Sequence, residues 1–348
     1  MKKIFLTAIA LLAAVTFAAP FKVVGYFPYW AQYSQFSPKD VRYDFVTHIH
    51  YATLAPAEDG SINYADENDA PNFEELAKAS KEHNVSLVVA IGGYEAEANL
   101  KAIATDDSKL GTFCDAAMEW VDKYGLAGVE IDWQNATAED AADIGKMVSA
   151  LKSKLGDKTV SVMAYAVTAD AYENALGEAD YVTVSVGDQM DESASEVKPN
   201  LSKQDVENAV QALTGKGVSS DKVVPVVTLY GKTFAGASGL GSSHQGIGSG
   251  NEGFLAYKEL MSKFETPDYK VSFDESSASE VAVSNSETIV FSGIPSMKVM
   301  SNMVKDNDWA GIAVYDLSQD HNEPLVSLMV TIGLVLRPDV NYTPKKKK

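Results

Sequence analysis

Residues 124–134 read Tyr-Gly-Leu-Ala-Gly-Val-Glu-Ile-Asp-Trp-Gln. Gly125 closes a helical run, and Gly128 opens a strand in which Val129, Ile131 and Trp133 alternate with Glu130, Asp132 and Gln134. Side chains change face at every step along a strand, so the two acids and the amide share one face. Burying carboxylates is costly unless they are paired or solvated. The stretch is therefore either an edge strand with a wet face or the strand that presents a site. Glu130 and Asp132, two residues apart on one face, are expected to repel, so that one of them carries a raised pKa.

The rest of the chain favours the second reading. Apolar runs at residues 23–27, 45–51 and 86–91 precede it, and others at 159–165, 181–184, 223–229 and 311–315 follow, with helical segments between many of them. Eight such units over about 300 residues predict an α/β fold, a closed (β/α)8 barrel. Thr137 with Asp140 begins one helix, whose stripe is Ile144, Met147, Val148, Leu151 and Leu155; Ser202 with Asp205 begins another. Between the seventh and eighth strands the spacing stretches from residue 230 to 294. Its Gly- and Ser-rich part, 236–253, reads as a mobile loop, 253–264 as a helix, and 269–273, 280–284 and 288–291 as small strands. The barrel thus carries a small strand-containing insertion.

Residues 1–18 hold Lys2, Lys3 and an apolar run over 4–17, and small residues stand at Ala18 and Ala19. This pattern predicts a signal peptide and export, with the barrel over 19–336 and a disordered basic tail over 337–348. Removing Lys2 and Lys3 from the 29 basic residues leaves 27 against 48 acidic ones, a net charge of −21. So acidic a chain is a poor partner for nucleic acid or anionic lipid, and suits a neutral ligand such as a glycan. No other segment is long and apolar enough to span a membrane. The single Cys114 has no disulfide partner and reads as a buried thiol. Gly239-Leu240-Gly241 lacks the glycine and lysine of a phosphate loop, so no cofactor is expected. His48 and His50 have the spacing of a metal pair, but the other histidines lie off the strands. If Tyr51 and Thr53 face the barrel interior, both histidines face the helices, and no metal is expected.

Residues 127–134 resemble the signature of family 18 glycoside hydrolases, the chitinases and their relatives, Asp-Gly-x-Asp-x-Asp-x-Glu on the fourth barrel strand. Gly128 and Asp132 match; Ala127 stands at the first Asp, Glu130 at the second, and Gln134 at the glutamate that protonates the scissile oxygen. Further likeness runs along the chain: Gly25-Tyr26-Phe27-Pro28-Tyr29-Trp30, Tyr51-Ala52-Thr53, Ile91-Gly92-Gly93 with Ala90 in place of Ser, Tyr230-Gly231, Ser296-Met297-Lys298, and residues 311–316. In that family the substrate's 2-acetamido oxygen is the nucleophile, apart from the two-carboxylate scheme. The resemblance implies that Asp132 orients the acetamido N–H and that Gln134, an amide, gives up no proton. The sixth-strand Met-x-Tyr-Asp position reads Ser185-Val186-Gly187-Asp188, which keeps only Asp188. Tyr315 stands where the family has a tryptophan under the sugar.

Three functions follow. The first is an exported carbohydrate-binding pseudoenzyme that takes N-acetylglucosamine-containing glycans on strand-end aromatics such as Tyr26, Trp30, Tyr230 and Tyr315. The second is a working hydrolase whose acid is Glu130 or a loop carboxylate such as Asp188 or Glu95. The third is a secreted protein-interaction scaffold that no longer binds glycans.

Overall fold

The computed structural model describes residues 21–186 and 194–339. The expected signal peptide, most of the basic tail, Gly187 and Asp188 lie outside the described residues.

In chain order the strands are β1 (Lys22–Pro28), β2 (His48–Pro56), β3 (Ile62–Tyr64), β4 (Ser86–Gly92), β5 (Gly128–Asp132), β6 (Thr159–Tyr165), β7 (Tyr181–Ser185), β8 (Val223–Thr228), β9 (Tyr230–Ala235), β10 (Phe254–Ala256), β11 (Lys270–Asp274), β12 (Ser279–Val283), β13 (Glu287–Phe291) and β14 (Gly311–Tyr315). Eight of them pair in parallel in the order β1-β2-β4-β5-β6-β7-β8-β14, and β14 pairs back onto β1 to close the barrel. The short β3 adds antiparallel to β2 outside the ring. These are the eight runs read from the sequence, with one shift: the second strand starts at His48 rather than Phe45 and continues to Pro56.

Two glycines frame β5. A Cβ on Gly128 would sit 2.0 Å from the Thr159 carbonyl oxygen of β6, and one on Gly92 would sit 2.0 Å from the Asp132 carbonyl oxygen. Gly92 also has φ +133°, a conformation open to glycine. The presenting strand is thus clasped by backbone on both sides.

The helix Asp107–Tyr124 starts on an Asp106 cap that accepts from the Ser108 and Lys109 N–H groups, and stops at Gly125 in the left-handed region. The Thr137–Asp140 capping box opens a short 3-10 turn that runs into the helix Ala141–Leu155. Its stripe of Ile144, Met147, Val148, Leu151 and Leu155 is buried against the barrel. Truncating one such leucine to alanine costs about 2–5 kcal/mol. Cys114 is buried in the same outer core, and burial pushes its thiol up to about 11.

The insertion is a five-stranded antiparallel sheet, β10-β9-β13-β12-β11. The stretch 236–253, expected as a mobile loop, is pinned instead. Gln245 N–H donates to the Ala235 carbonyl at 2.8 Å, Gly248 N–H to that of Thr233 at 3.0 Å, and Ser249 to Glu287 through both N–H and Oγ. Burial alone would raise Glu287, but hydrogen bonds from Tyr269 and Ser249 and the Lys263 ammonium hold it down to about 2. Among the described residues no helix is long and apolar enough to cross a membrane.

Candidate functional site

The barrel interior is built in two polar layers. In the lower one, Glu130 is fully buried. Its carboxylate accepts from the Tyr26 hydroxyl at 3.0 and 2.9 Å and from Thr183 Oγ1 at 2.8 Å, and meets His50 Nδ1 at 2.9 Å. His50 Nε2 in turn lies 2.7 Å from the Tyr181 hydroxyl. No side chain of this cluster is more than 1% exposed. Burial, followed by the Glu130 charge, holds the Tyr26 and Tyr181 hydroxyls well above the usual phenol range.

This layer corrects four expectations. His50 faces the interior, not the helices, because β1 and β2 pair with Tyr26 beside His50, and residues paired across parallel strands share a face. Tyr51 points outward, onto Phe73 at 4.9 Å and Phe27 at 6.4 Å. Tyr26 is sealed inside the barrel, so it offers no sugar-stacking surface. Glu130 is likewise saturated and out of reach of any ligand at the mouth, which removes it as a candidate acid.

The upper layer is reached from the C-terminal ends of the strands. Asp132 is 5% exposed there, and Tyr165, Gln134 and Tyr315 around it are partly exposed. Tyr165 donates to Asp132 Oδ1 at 2.6 Å, whereas Gln134 Nε2 is 3.5 Å from Oδ2, at the limit of a hydrogen bond. Burial pushes the Asp132 carboxyl up to about 7; the Tyr165 hydrogen bond pulls the other way, and the Glu130 charge adds to the rise. The expected partner of the raised carboxyl is thus in place, but desolvation outweighs like-charge repulsion as the cause. Tyr315, 5.1 Å from Tyr26, is kept protonated first by burial and then by the charges of Asp132 and Asp316.

Beside this layer lies a cleft of about 610 Å³, walled by Trp30, Tyr230, Phe254, Lys258, Asp316 and Gln319 among others. Asp132 and Gln134 do not line it. Trp30, with its ring 6.4 Å from that of Tyr315, joins the cleft to the upper layer. Tyr230 packs edge-on against Phe254 at 5.2 Å, which ties that wall to the insertion. The loop after β4 carries Tyr94, 81% exposed, and the exposed Glu95. Trp30, Tyr230 and Tyr315 are therefore brought to one side of the barrel mouth, while Asp188 lies outside the described residues.

Sequence reasoning missed Tyr165 and the His50, Tyr181 and Thr183 side of the Glu130 cluster. The signal for Tyr165 was present: Ser161, Met163 and Tyr165 alternate on one face of residues 159–165, the strand next to Asp132.

Comparison with known proteins agrees with the barrel fold. A family model described as glycosyl hydrolases family 18 matches residues 22–320. Chitinase 1 of Aphanocladium album is 26% identical over 283 residues, which cover 68% of this chain and 67% of the relative. The chitinase-like mite allergen Der f 18.0101 of Dermatophagoides farinae is 23% identical over 356 residues, 92% of this chain and 77% of the relative. Among solved structures, the Group IV chitinase of Ostrinia furnacalis aligns with a TM-score of 0.82 at 20% identity, covering 91% of this chain and 99% of that one. A class V chitinase from Nicotiana tobaccum, a glutamate-to-glutamine mutant in complex with NAG4, aligns at 0.81 and 15% identity, covering 92% and 99%.

Proposed function

The chain belongs to family 18 of the glycosyl hydrolases, and on that premise we propose that it is an exported glycan-binding member that holds N-acetylglucosamine-containing chains at the barrel mouth without cleaving them at enzyme rates. One observation carries the reading. The β5 strand ends in Asp132, and two residues on, at the acid position of the signature, Gln134 offers an amide with no proton to transfer. Cleaving a glycosidic bond requires protonation of the leaving oxygen, and Glu130 is sealed beneath this layer. Trp30, Tyr230 and Tyr315 supply flat apolar surface beside an acceptor, the usual make-up of a site that takes a small polar ligand. The solved glutamate-to-glutamine relative in complex with NAG4 supports the view that an amide in place of a carboxyl is compatible with a bound glycan. Export rests on the charge and apolar pattern of residues 1–18.

The test is calorimetric titration of the mature protein with N-acetylglucosamine oligomers beside a fluorogenic hydrolysis assay. Binding without turnover is expected. Neither binding nor turnover would favour an interaction scaffold instead.

A second reading has its own observation. A carboxyl with a pKa of about 7 is matched to general-acid work at neutral pH, so slow hydrolysis through Asp132 itself is the rival. It requires a rate that falls above pH 7 and vanishes in Asp132→Asn.

A further inference from the structure

We propose that Tyr165 is the positioning residue of this site: its phenol clamps one oxygen of Asp132, so that the other is presented to the mouth as a single acceptor for a ligand N–H or O–H. The inference deepens the glycan-binding reading and rests on it for the ligand, though not for the clamp itself.

The two oxygens of Asp132 are in unequal surroundings. Oδ1 receives the Tyr165 hydroxyl at 2.6 Å, the short distance of a charge-assisted bond, while Oδ2 has only Gln134 at 3.5 Å. Tyr165 is itself anchored. Its backbone N–H donates to the Tyr172 hydroxyl at 3.2 Å, and its strand is paired to β5 on one side and β7 on the other. A fully donating phenol cannot rotate toward a ligand without releasing Asp132, so Tyr165 acts through the carboxylate. The hydroxyl at this aspartate comes from the fifth barrel strand.

Among the described residues, the ionisable groups facing Asp132 are Glu130 on its own strand, Tyr165 from β6, Tyr172 from the turn after β6, Tyr315 from β14 and Tyr26 from β1. Of the groups that act on the Asp132 carboxyl, Tyr165 gives the stronger of the two hydrogen bonds that favour the ionised form. Removing its hydroxyl therefore makes ionisation harder, a change that loss of packing alone does not bring about.

The experiment uses the mature chain, wild type and Tyr165→Phe. Asp132 is followed by carboxyl-carbon NMR and assigned with Asp132→Asn. Titration is expected to move upward by about one pH unit in Tyr165→Phe. With the N-acetylglucosamine tetramer, calorimetry should show about tenfold weaker binding at neutral pH, and the pH at which binding is half lost should move upward with the carboxyl. In an Asp132→Asn background the same tyrosine change should leave affinity within about twofold, as required of a residue that acts through Asp132. An unmoved Asp132 titration overturns the proposal whether or not any sugar binds. Absence of tetramer binding by the wild type, with the titration moved, overturns the glycan reading and leaves the clamp. An equal loss of affinity in both backgrounds shows a direct or merely structural role and also overturns it.

Discussion

Asp132→Asn should make this protein more stable at neutral and alkaline pH while removing its ligand acceptor. The folded chain holds the Asp132 proton up to about 7, against an ordinary value of 3.8. Between those limits the folded state binds more protons than the unfolded one, so stability falls as pH rises through that window. A difference of about 3 in pKa corresponds to about 4 kcal/mol when fully expressed above pH 7. Asparagine keeps an oxygen to accept the Tyr165 hydroxyl and removes both the buried charge and its repulsion of Glu130. Part of the gain is lost to imperfect amide partners, so a net gain of about 2–4 kcal/mol is expected at pH 8 and close to none at pH 4. The assay is urea unfolding of both proteins from pH 4 to 8, read as the difference between the two stability curves, which cancels the general effect of the chain's negative charge. A difference that stays flat across that range, or a variant less stable than wild type at pH 8, would refute the argument that burial disfavours the ionised Asp132 carboxylate.

Other outcomes follow from the same geometry. Gln134→Glu alone should yield only trace hydrolysis, and adding Glu130→Asp should bring no gain, because the shorter arm withdraws from His50, Tyr26 and Thr183; turnover on the order of 1 to 10³ per second in either variant would contradict this. Trp30→Ala should weaken oligomer binding by about 1–3 kcal/mol, whereas Tyr26→Phe should cost about 1–3 kcal/mol of folding stability and leave affinity unchanged; calorimetry and unfolding of both variants separate the two effects. Oligomer affinity should decline as pH falls below about 7, as Asp132 takes up a proton and ceases to accept; a flat pH profile in calorimetry would argue against this. Glu287, held down to about 2, behaves in the opposite sense to Asp132: its contribution is present above its ordinary 4.5 and is lost as pH falls toward 2. Glu287→Gln should therefore cost about 1 kcal/mol at neutral pH after allowance for solvent screening, and nothing near pH 2, as judged by the urea midpoint.

The barrel was legible because each strand is an apolar run of ordinary length between turn residues, and all but the second lie where the pattern places them. Parity was harder. Residues 45–51 read as one strand, but pairing begins at His48, and the register slips between Ala52 and Leu54. Alternation carried backward from Thr53 consequently put Tyr51 inside and His50 outside, the reverse of what the β1 partner dictates. β9 was missed because only Leu229 separates it from β8 and because Gly231 and Lys232 interrupt its apolar pattern. Glu130, Asp132 and Gln134 were identified on one strand, yet nothing in that strand tells how deep each lies. Depth depends on Tyr26, Tyr165 and Thr183, which come from other strands and are invisible to a local pattern.

The sealed pair of His50 and Glu130 also limits how this chain can change over generations. Removing one partner of a buried hydrogen bond leaves the other polar group unsatisfied, at a cost of about 1–3 kcal/mol and more when it is charged, while replacing both with apolar side chains of the same shape can be nearly neutral. Single substitutions at either position are therefore disfavoured relative to paired ones. The pair acts as a ratchet: a lineage that has acquired both residues returns to a one-residue arrangement only through an unstable intermediate. The mouth above it, where Asp132 and Gln134 sit in partial contact with solvent, bears no such restriction and is free to drift from one chemistry to another on an unchanged floor.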